Sequence, residues 1–328
     1  MNRSIHKFKC QSGLPQKQIV CLGLFPSCQR TLLFDSFHVG KVNRATDLVL
    51  SSGGKAVNAA LALARLGESP LVMGFNGGAT GQIIAQDLKK QGVACSFVQT
   101  PWPTRTCTTI VDLAKHTATE LVEESAAVSQ RLLKRLETRA RTLLKQALAC
   151  LITGTLPPAL PADLWGRFAR IARQHKLPCV VDTSGHALLA TLPYAPLLVK
   201  INSDELIQTC HLVSAREATL SKAALQLTSA GAQWVLITRG SDASILCSAN
   251  GGVWRIIPPS ITPINSIGSG DCVNAGILHG HLNGMNMPNA VRFGLTCGSA
   301  NALTRSPGDI HLKSISSLLK KCRIEPMR

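Results

Sequence analysis

The chain has 328 residues, with 35 Lys plus Arg against 18 Asp plus Glu and a formal net charge of +17. Hydrophobic residues make up 45 % and charged residues only 16 %, which excludes a disordered or fibrous chain. The positive balance comes from scarce acids, and it suits nucleic acid, an anionic surface or a site for phosphorylated substrates.

Residues 1–17 form a basic, polar N-terminal extension without a single acid. Ile19–Phe25, the apolar stretch that follows, is short for a signal peptide and is expected to be the first buried strand; the basic start also has the composition of an organelle-targeting segment. Short apolar runs then predict buried strands at Ile19–Gly23, Pro70–Phe75, Cys150–Thr153, Cys179–Asp182, Leu197–Ile201 and Trp234–Thr238. Helical patterns lie between and after them, at Lys55–Leu66, Ala127–Ala149, Ala162–His175, Ala215–Ser229, Asp271–Leu282 and Ala290–Leu303. Gly67 closes the first of these helices. Such alternation predicts a mostly parallel sheet covered on both faces. Two β-rich stretches interrupt it, about 31–51 and 95–122, and are expected to form a small sheet acting as a lid over a cleft. No run of about 18 apolar residues is present, so no membrane span is expected.

The 12 cysteines are scattered with no C-x-x-C pair, which argues against a zinc ribbon and for reduced thiols in a cytoplasmic protein. The helix over 127–149 carries Arg131, Lys134, Arg135, Arg139, Arg141 and Lys145 against one acid, Glu137. A solvated outer face is the favoured reading, with a nucleic-acid or anionic partner surface as the alternative. No aromatic residue is interleaved, which disfavours a single-strand stacking platform.

Two clusters carry chemistry. In Asn265-Ser266-Ile267-Gly268-Ser269-Gly270-Asp271 a small-residue turn opens a helix. Backbone N–H groups there can approach an anion, and Asp271 in the first turn suits a general base. An Asp cap on an ordinary glycine turn is the plainer alternative. In Gly53-Gly54-Lys55-Ala56-Val57-Asn58 the glycines permit close approach, and Lys55 and Asn58 share a helix face. Neither a dinucleotide fingerprint nor a P-loop is present.

Together these clusters resemble the motifs of PfkB/ribokinase-like carbohydrate kinases, Gly-Gly-Lys-Gly-x-Asn and [DN]-[ST]-x-G-[AS]-G-D. The resemblance runs from about Ile19 to Leu318 and is nearest the branch of tagatose-6-phosphate kinase and 1-phosphofructokinase. Val39-Gly40-Lys41-Val42-Asn43-Arg44-Ala45, Thr104-Arg105-Thr106-Cys107, Thr153-Gly154-Thr155-Leu156-Pro157-Pro158 and Asn202-Ser203-Asp204-Glu205 also fit it. The resemblance implies a ribokinase-like α/β fold, a three-layer αβα sandwich with a mostly parallel central sheet and a small β lid. It also implies transfer of the ATP γ-phosphoryl group to a sugar hydroxyl. Asp271 matches the catalytic base, and the backbone at Gly268, Ser269 and Gly270 matches the anion hole. Asn202 and Glu205 match a motif that places Mg²⁺ through water, while Lys200, Thr238 and Gly240 lie where nucleotide is held. Gly53, Gly54, Lys55 and Asn58 match the sugar-binding turn, Arg105 the arginine that grips a substrate phosphate, and Lys41 adds positive charge for the substrate.

The chain departs from the branch at its first turn. Thr-Leu-Asn-Pro-x-x-Asp is replaced by Gly23-Leu24-Phe25-Pro26-Ser27-Cys28-Gln29, and Ala56 stands for the third glycine of the early motif. Gln29 can still accept a hydrogen bond but lacks charge. The expected activity is therefore an ATP- and Mg²⁺-dependent kinase of a phosphorylated ketohexose. Kinases of an unphosphorylated sugar or nucleoside, and a catalytically weak sugar-phosphate-binding or nucleic-acid-associated protein, are the alternatives. The resemblance also implies a homodimer through the lid.

Overall fold

A computed structural model describes residues 17–327; residues 1–16 of the N-terminal extension lie outside it. Apolar β1 (Ile19–Leu22) leads into a hairpin of β2 (Ser27–Phe34) and β3 (Asp47–Gly53), then α1 (Lys55–Arg65), β4 (Pro70–Met73), β5 (Phe75–Asn76) and α2 (Gly78–Lys90). Short β6 (Ala94–Cys95) and β7 (Val98–Gln99) precede a second hairpin, β8 (Thr106–Asp112) and β9 (Thr117–Val122). The alternation resumes with α3 (Gln130–Lys145), β10 (Ala149–Thr153), α4 (Leu164–Gln174), β11 (Cys179–Asp182), α5 (Gly185–Leu189), β12 (Leu198–Asn202), α6 (Ser203–Cys210), α7 (Glu217–Ser229) and β13 (Trp234–Arg239). It ends with β14 (Asp242–Ser248), β15 (Val253–Ile257), α8 (Ser269–Leu282), α9 (Met287–Ala302), α10 (Leu312–Leu319) and β16 (Arg323–Met327).

The main sheet has ten strands in the order β16-β15-β14-β13-β12-β11-β10-β1-β4-β6. Pairing is parallel from β13 to β6, and antiparallel among β13 to β16. Strand alternation sends β1 side chains to two cores. Val20 and Leu22 meet α3, α4 and α7 through Leu136, Trp165, Phe168 and Leu227. Ile19 and Cys21 meet α1, α8 and α9 through Leu63, Ile277 and Leu295. Helices thus cover both faces, giving three layers.

The helix expected over Ala127–Ala149 is shorter than its pattern. Ser129 caps it, its hydroxyl accepting from the Leu132 N–H, and Ala149 already belongs to β10. The late helix begins at Ser269, so Asp271 lies in its first turn. The separate four-stranded sheet runs β3-β2-β8-β9. The stretch expected to supply lid strands from residue 95 divides. Residues 94–99 pair with β4 and β5 of the body, and only β8 and β9 join β2 and β3. No helix among the described residues is long and apolar enough to cross a membrane, and their cysteines form no disulfide.

Candidate active site

Parallel strands deliver their last residues to one edge of the sheet, where α/β proteins bind ligands. Here β11 ends in Asp182 and β12 in Lys200–Asn202, with Asp182 and Lys200 as direct cross-strand partners. Both side chains are buried, and Lys200 Nζ donates to Asp182 Oδ2 at 2.8 Å. Asn274 Nδ2 donates to the same oxygen at 2.6 Å. Lys55 Nζ stands 3.7 Å from Asp182 Oδ1, which has no hydrogen-bond partner. Burial acts to raise the Asp182 carboxyl, but Lys200, Lys55 and the two hydrogen bonds outweigh it and hold it below the usual aspartate range.

Asp271 lines the same cleft as this cluster and feels its charges. Gly268 is the N-cap residue of α8 at φ +80°, a conformation costly for other residues. A Cβ there would also lie 2.8 Å from the Pro307 ring. The Asp271 carboxylate is buried and accepts from Asn58 Nδ2 at 2.8 Å. Burial first, and then the charge of Asp182, push its pKa up to about 7 against the opposing pull of Lys55, Asn58 and Lys200. A carboxyl titrating there can give up or take a proton near neutral pH.

The turn before α8 uses some of its N–H groups and leaves others free. The Ser269 and Asp271 N–H groups are spent within the turn, on Ser266 and Gly268 carbonyls. The N–H groups of Gly268 and Gly270 have no carbonyl partner among the described residues. Of the expected anion hole, Gly268 and Gly270 therefore offer free donors and Ser269 does not. Lys200 Nζ closes the turn from below, 3.3 Å from where a Gly270 Cβ would stand.

A cleft of about 430 Å³ opens onto these groups, and Gln29, Gly54, Lys55, Asn58, Arg105 and Asp271 all line it. Lys200, Asn202, Glu205, Thr238, Gly268 and Gly270 also line it, with Asp182 and Glu120 among the remaining residues. Gly53 lies beside Gln29, and Gly240 (φ +61°) turns the chain just beyond Thr238. Lys41 is not brought to the cleft. It occupies an exposed turn between β2 and β3, where Asn43 Nδ2 donates to its carbonyl.

Asn202 and Glu205 form a capping box at the start of α6, each side chain accepting from the other's N–H at 2.8 and 3.0 Å. One oxygen of Glu205 is thereby occupied and the other is left for a ligand. Arg105 donates to the Glu123 carbonyl at 3.2 Å, while its buried Nε has no partner.

The sequence motifs lie together at one sheet edge, and a profile of the pfkB family carbohydrate kinases matches residues 16–313. The chain belongs to the pfkB family. It is a phosphotransferase acting on a hydroxyl acceptor. The chain is 26 % identical over 309 residues to the tagatose-6-phosphate kinase of Staphylococcus epidermidis, covering 93 % of this chain and 99 % of that one. A solved structure of a possible 1-phosphofructokinase from Thermotoga maritima matches with a TM-score of 0.85 at 21 % identity, over 95 % of this chain and all of that one. An Arabidopsis thaliana ribokinase solved with ribose and ATP matches with a TM-score of 0.71 at 19 % identity, over 93 % and 99 %. The fold is ribokinase-like.

Within this pfkB chain, the departures at Gly23 and Ala56 meet in one contact and are expected to compensate each other. A Cβ at Gly23 would stand 2.5 Å from the Cβ of Ala56, closer than two carbons can pack. The branch motifs have Thr at the first position and Gly at the second, so one methyl has changed sides of a single contact. Gly23→Thr alone is expected to overpack the turn and cost about 1–3 kcal/mol. Ala56→Gly alone should cost about 1 kcal/mol through helix propensity. The double variant should recover most of the first loss, and urea unfolding of all four chains measures that coupling; strict additivity would refute the compensation.

Sequence reasoning missed Asp182 and Asn274. Asp182 reads in sequence as the polar end of a strand before Thr-Ser-Gly. Only its registration against Lys200 exposes its role.

Proposed function

We propose that this kinase transfers the γ-phosphoryl group of ATP to a hydroxyl of a phosphorylated ketohexose, of the tagatose-6-phosphate or fructose-1-phosphate type. The observation that carries the reading is Arg105. Its buried, unpartnered Nε belongs to a guanidinium lining the same cleft as Lys55 and Asp271. A buried donor without a partner costs free energy that a bound phosphate would relieve.

Asp271 takes the proton of the acceptor hydroxyl, with Asn58 fixing the carboxylate that does so. The free N–H groups of Gly268 and Gly270, with Lys200 beneath, meet charge on the phosphoryl group as it transfers. Gly53, Gly54, Lys55 and Asn58 line the sugar side with Gln29, whose Nε2 is spent on Thr109 at 2.6 Å and whose carbonyl oxygen remains to accept. Thr238 and Gly240 flank the nucleotide phosphates. Among the described residues no three His, Cys, Asp or Glu side chains group as a metal cage. The free oxygen of Glu205 and the Asn202 amide fit Mg²⁺ held through water. When bound with ATP, Mg²⁺ neutralises charge on the phosphates.

ATP consumption over a panel of sugar phosphates and their unphosphorylated analogues tests the reading. Arg105→Gln should raise KM for a phosphosugar on the order of tenfold to a hundredfold and leave an unphosphorylated sugar unchanged. Equal effects on both would remove the phosphate from the proposal.

The lid supports a homodimer. Its register puts Leu32, Leu48, Leu50, Ile110 and Leu121 on the face opposite to Gln29 and Cys107. Leu50 and Leu121 are each 53 % exposed, and an apolar sheet face of this kind suits a second copy. Sedimentation should give twice the chain mass, and Leu50→Lys with Leu121→Lys should halve it.

A further inference from the structure

On the body, away from the catalytic cleft, α3 and the segment 95–99 enclose an open groove of about 1140 Å³ that shares no residue with the cleft. We propose that this groove binds the phosphate backbone of a nucleic-acid strand without reading its bases.

Four of the cations on α3 line the groove: Arg131, Lys134, Arg135 and Arg139. Arg131, Arg135 and Arg139 recur every four residues, so they climb the helix in steps of about 6 Å. That makes a row of planar guanidinium groups suited to successive phosphates, which arginine binds as a fork. No carboxylate lines the groove. Glu137, the one acid of α3, is engaged by Arg167 at 2.8 Å, outside it. Arg139 donates to the Phe97 carbonyl at 2.6 Å and so ties the helix to the opposite wall. Arg131, Lys134 and Arg135 enter no ion pair among the described residues.

The shape favours a chain over a compact metabolite. Small-molecule pockets enclose most of their ligand, whereas this groove lies open to solvent. The wall facing the helix offers Ser96 and Gln99, and its one aromatic, Phe97, is buried. Bases therefore find nothing to stack on, and binding should be independent of sequence. The lack of interleaved aromatics that argues against a stacking platform is what backbone-only binding predicts.

The test is fluorescence anisotropy of a short labelled RNA of mixed sequence over a salt series. Wild type should bind with an affinity that falls steeply with salt. Replacing three contacts by Arg131→Gln, Lys134→Gln and Arg135→Gln should make the log–log slope shallower by about 2, at about 0.7 per phosphate. Lys313→Gln, Lys320→Gln and Lys321→Gln remove equal charge beside β16, at the opposite edge of the sheet, and should leave the slope unchanged. Arg135→Glu alone should act in the same direction as the groove triple, and a wild-type melting temperature for it shows that the fold is kept. Equal losses from both triples would reduce the effect to diffuse net charge and overturn the proposal. Displacement of the RNA by polyglutamate as readily as by polyphosphate would also overturn it, in favour of an acidic protein partner.

Discussion

Asp271→Asn is expected to lower kcat by roughly 10²–10⁴-fold while making the protein harder to melt at and above neutral pH. Both effects follow from one carboxyl. In the fold its pKa is pushed up to about 7, against about 3.9 in an unfolded chain. Between those values the native state holds a proton that the unfolded state has released. This carboxyl's contribution to stability therefore falls as pH rises through that window and levels off above about 7, a loss on the order of 4 kcal/mol. Asparagine has nothing to ionise, so the melting difference between variant and wild type should grow over the same window. In wild type, kcat/KM should rise with pH through about 7, because the base works only when ionised. Unchanged turnover in the variant, or a melting difference independent of pH, would remove Asp271 from the role.

Asp182→Ala is expected to be among the most destabilising changes in the molecule, at about 3–5 kcal/mol. It leaves Lys200 buried without its partner and takes away the acceptor of Asn274. The carboxyl is held below its ordinary range, so its contribution is in full force at neutrality. It is lost only as pH falls below the usual aspartate pKa. Asp182→Asn separates this structural part from electrostatics. It removes a negative charge that pushes Asp271 up, so the acidic limb of the kcat/KM profile should move to lower pH. Urea unfolding and a pH profile read the two effects, and a limb that stays in place would show that Asp182 supports the fold alone.

Much of this arrangement is legible in the sequence. The main-sheet strands β1, β4, β10, β11 and β12 pair in parallel and are buried on both faces, so their apolar runs are continuous and easily seen. Asp271 and its glycines stand together in one segment. What escapes depends on register or on weak patterning. The helix α2 opens on glycine and buries only Gly81, Ile84 and Leu88, too narrow a stripe to announce a helix. At the antiparallel edge, β15 and β16 are mostly half-buried or exposed and carry Arg255, Arg323, Glu325 and Pro326 among their residues. Asp182 and Lys200 are far apart in sequence and meet only because two parallel strands align. The exchange between Gly23 and Ala56 reads as two separate departures until their contact is seen.

The hydrogen bond from the Cys28 N–H to the Arg105 carbonyl, 2.9 Å long, joins the first residues of β2 to the entry of β8. Gln29 and Arg105 therefore hang from one continuous backbone ladder. A tilt of the small sheet would move both groups together and leave the span between them nearly constant. If Gln29 and Arg105 hold the two ends of the substrate as proposed, that span works as a gauge, and a substrate is measured by whether its hydroxyl and its phosphate fit it at once. On that proposal substrate choice is a matter of fixed length and should be sensitive to any residue inserted into β2 or β8.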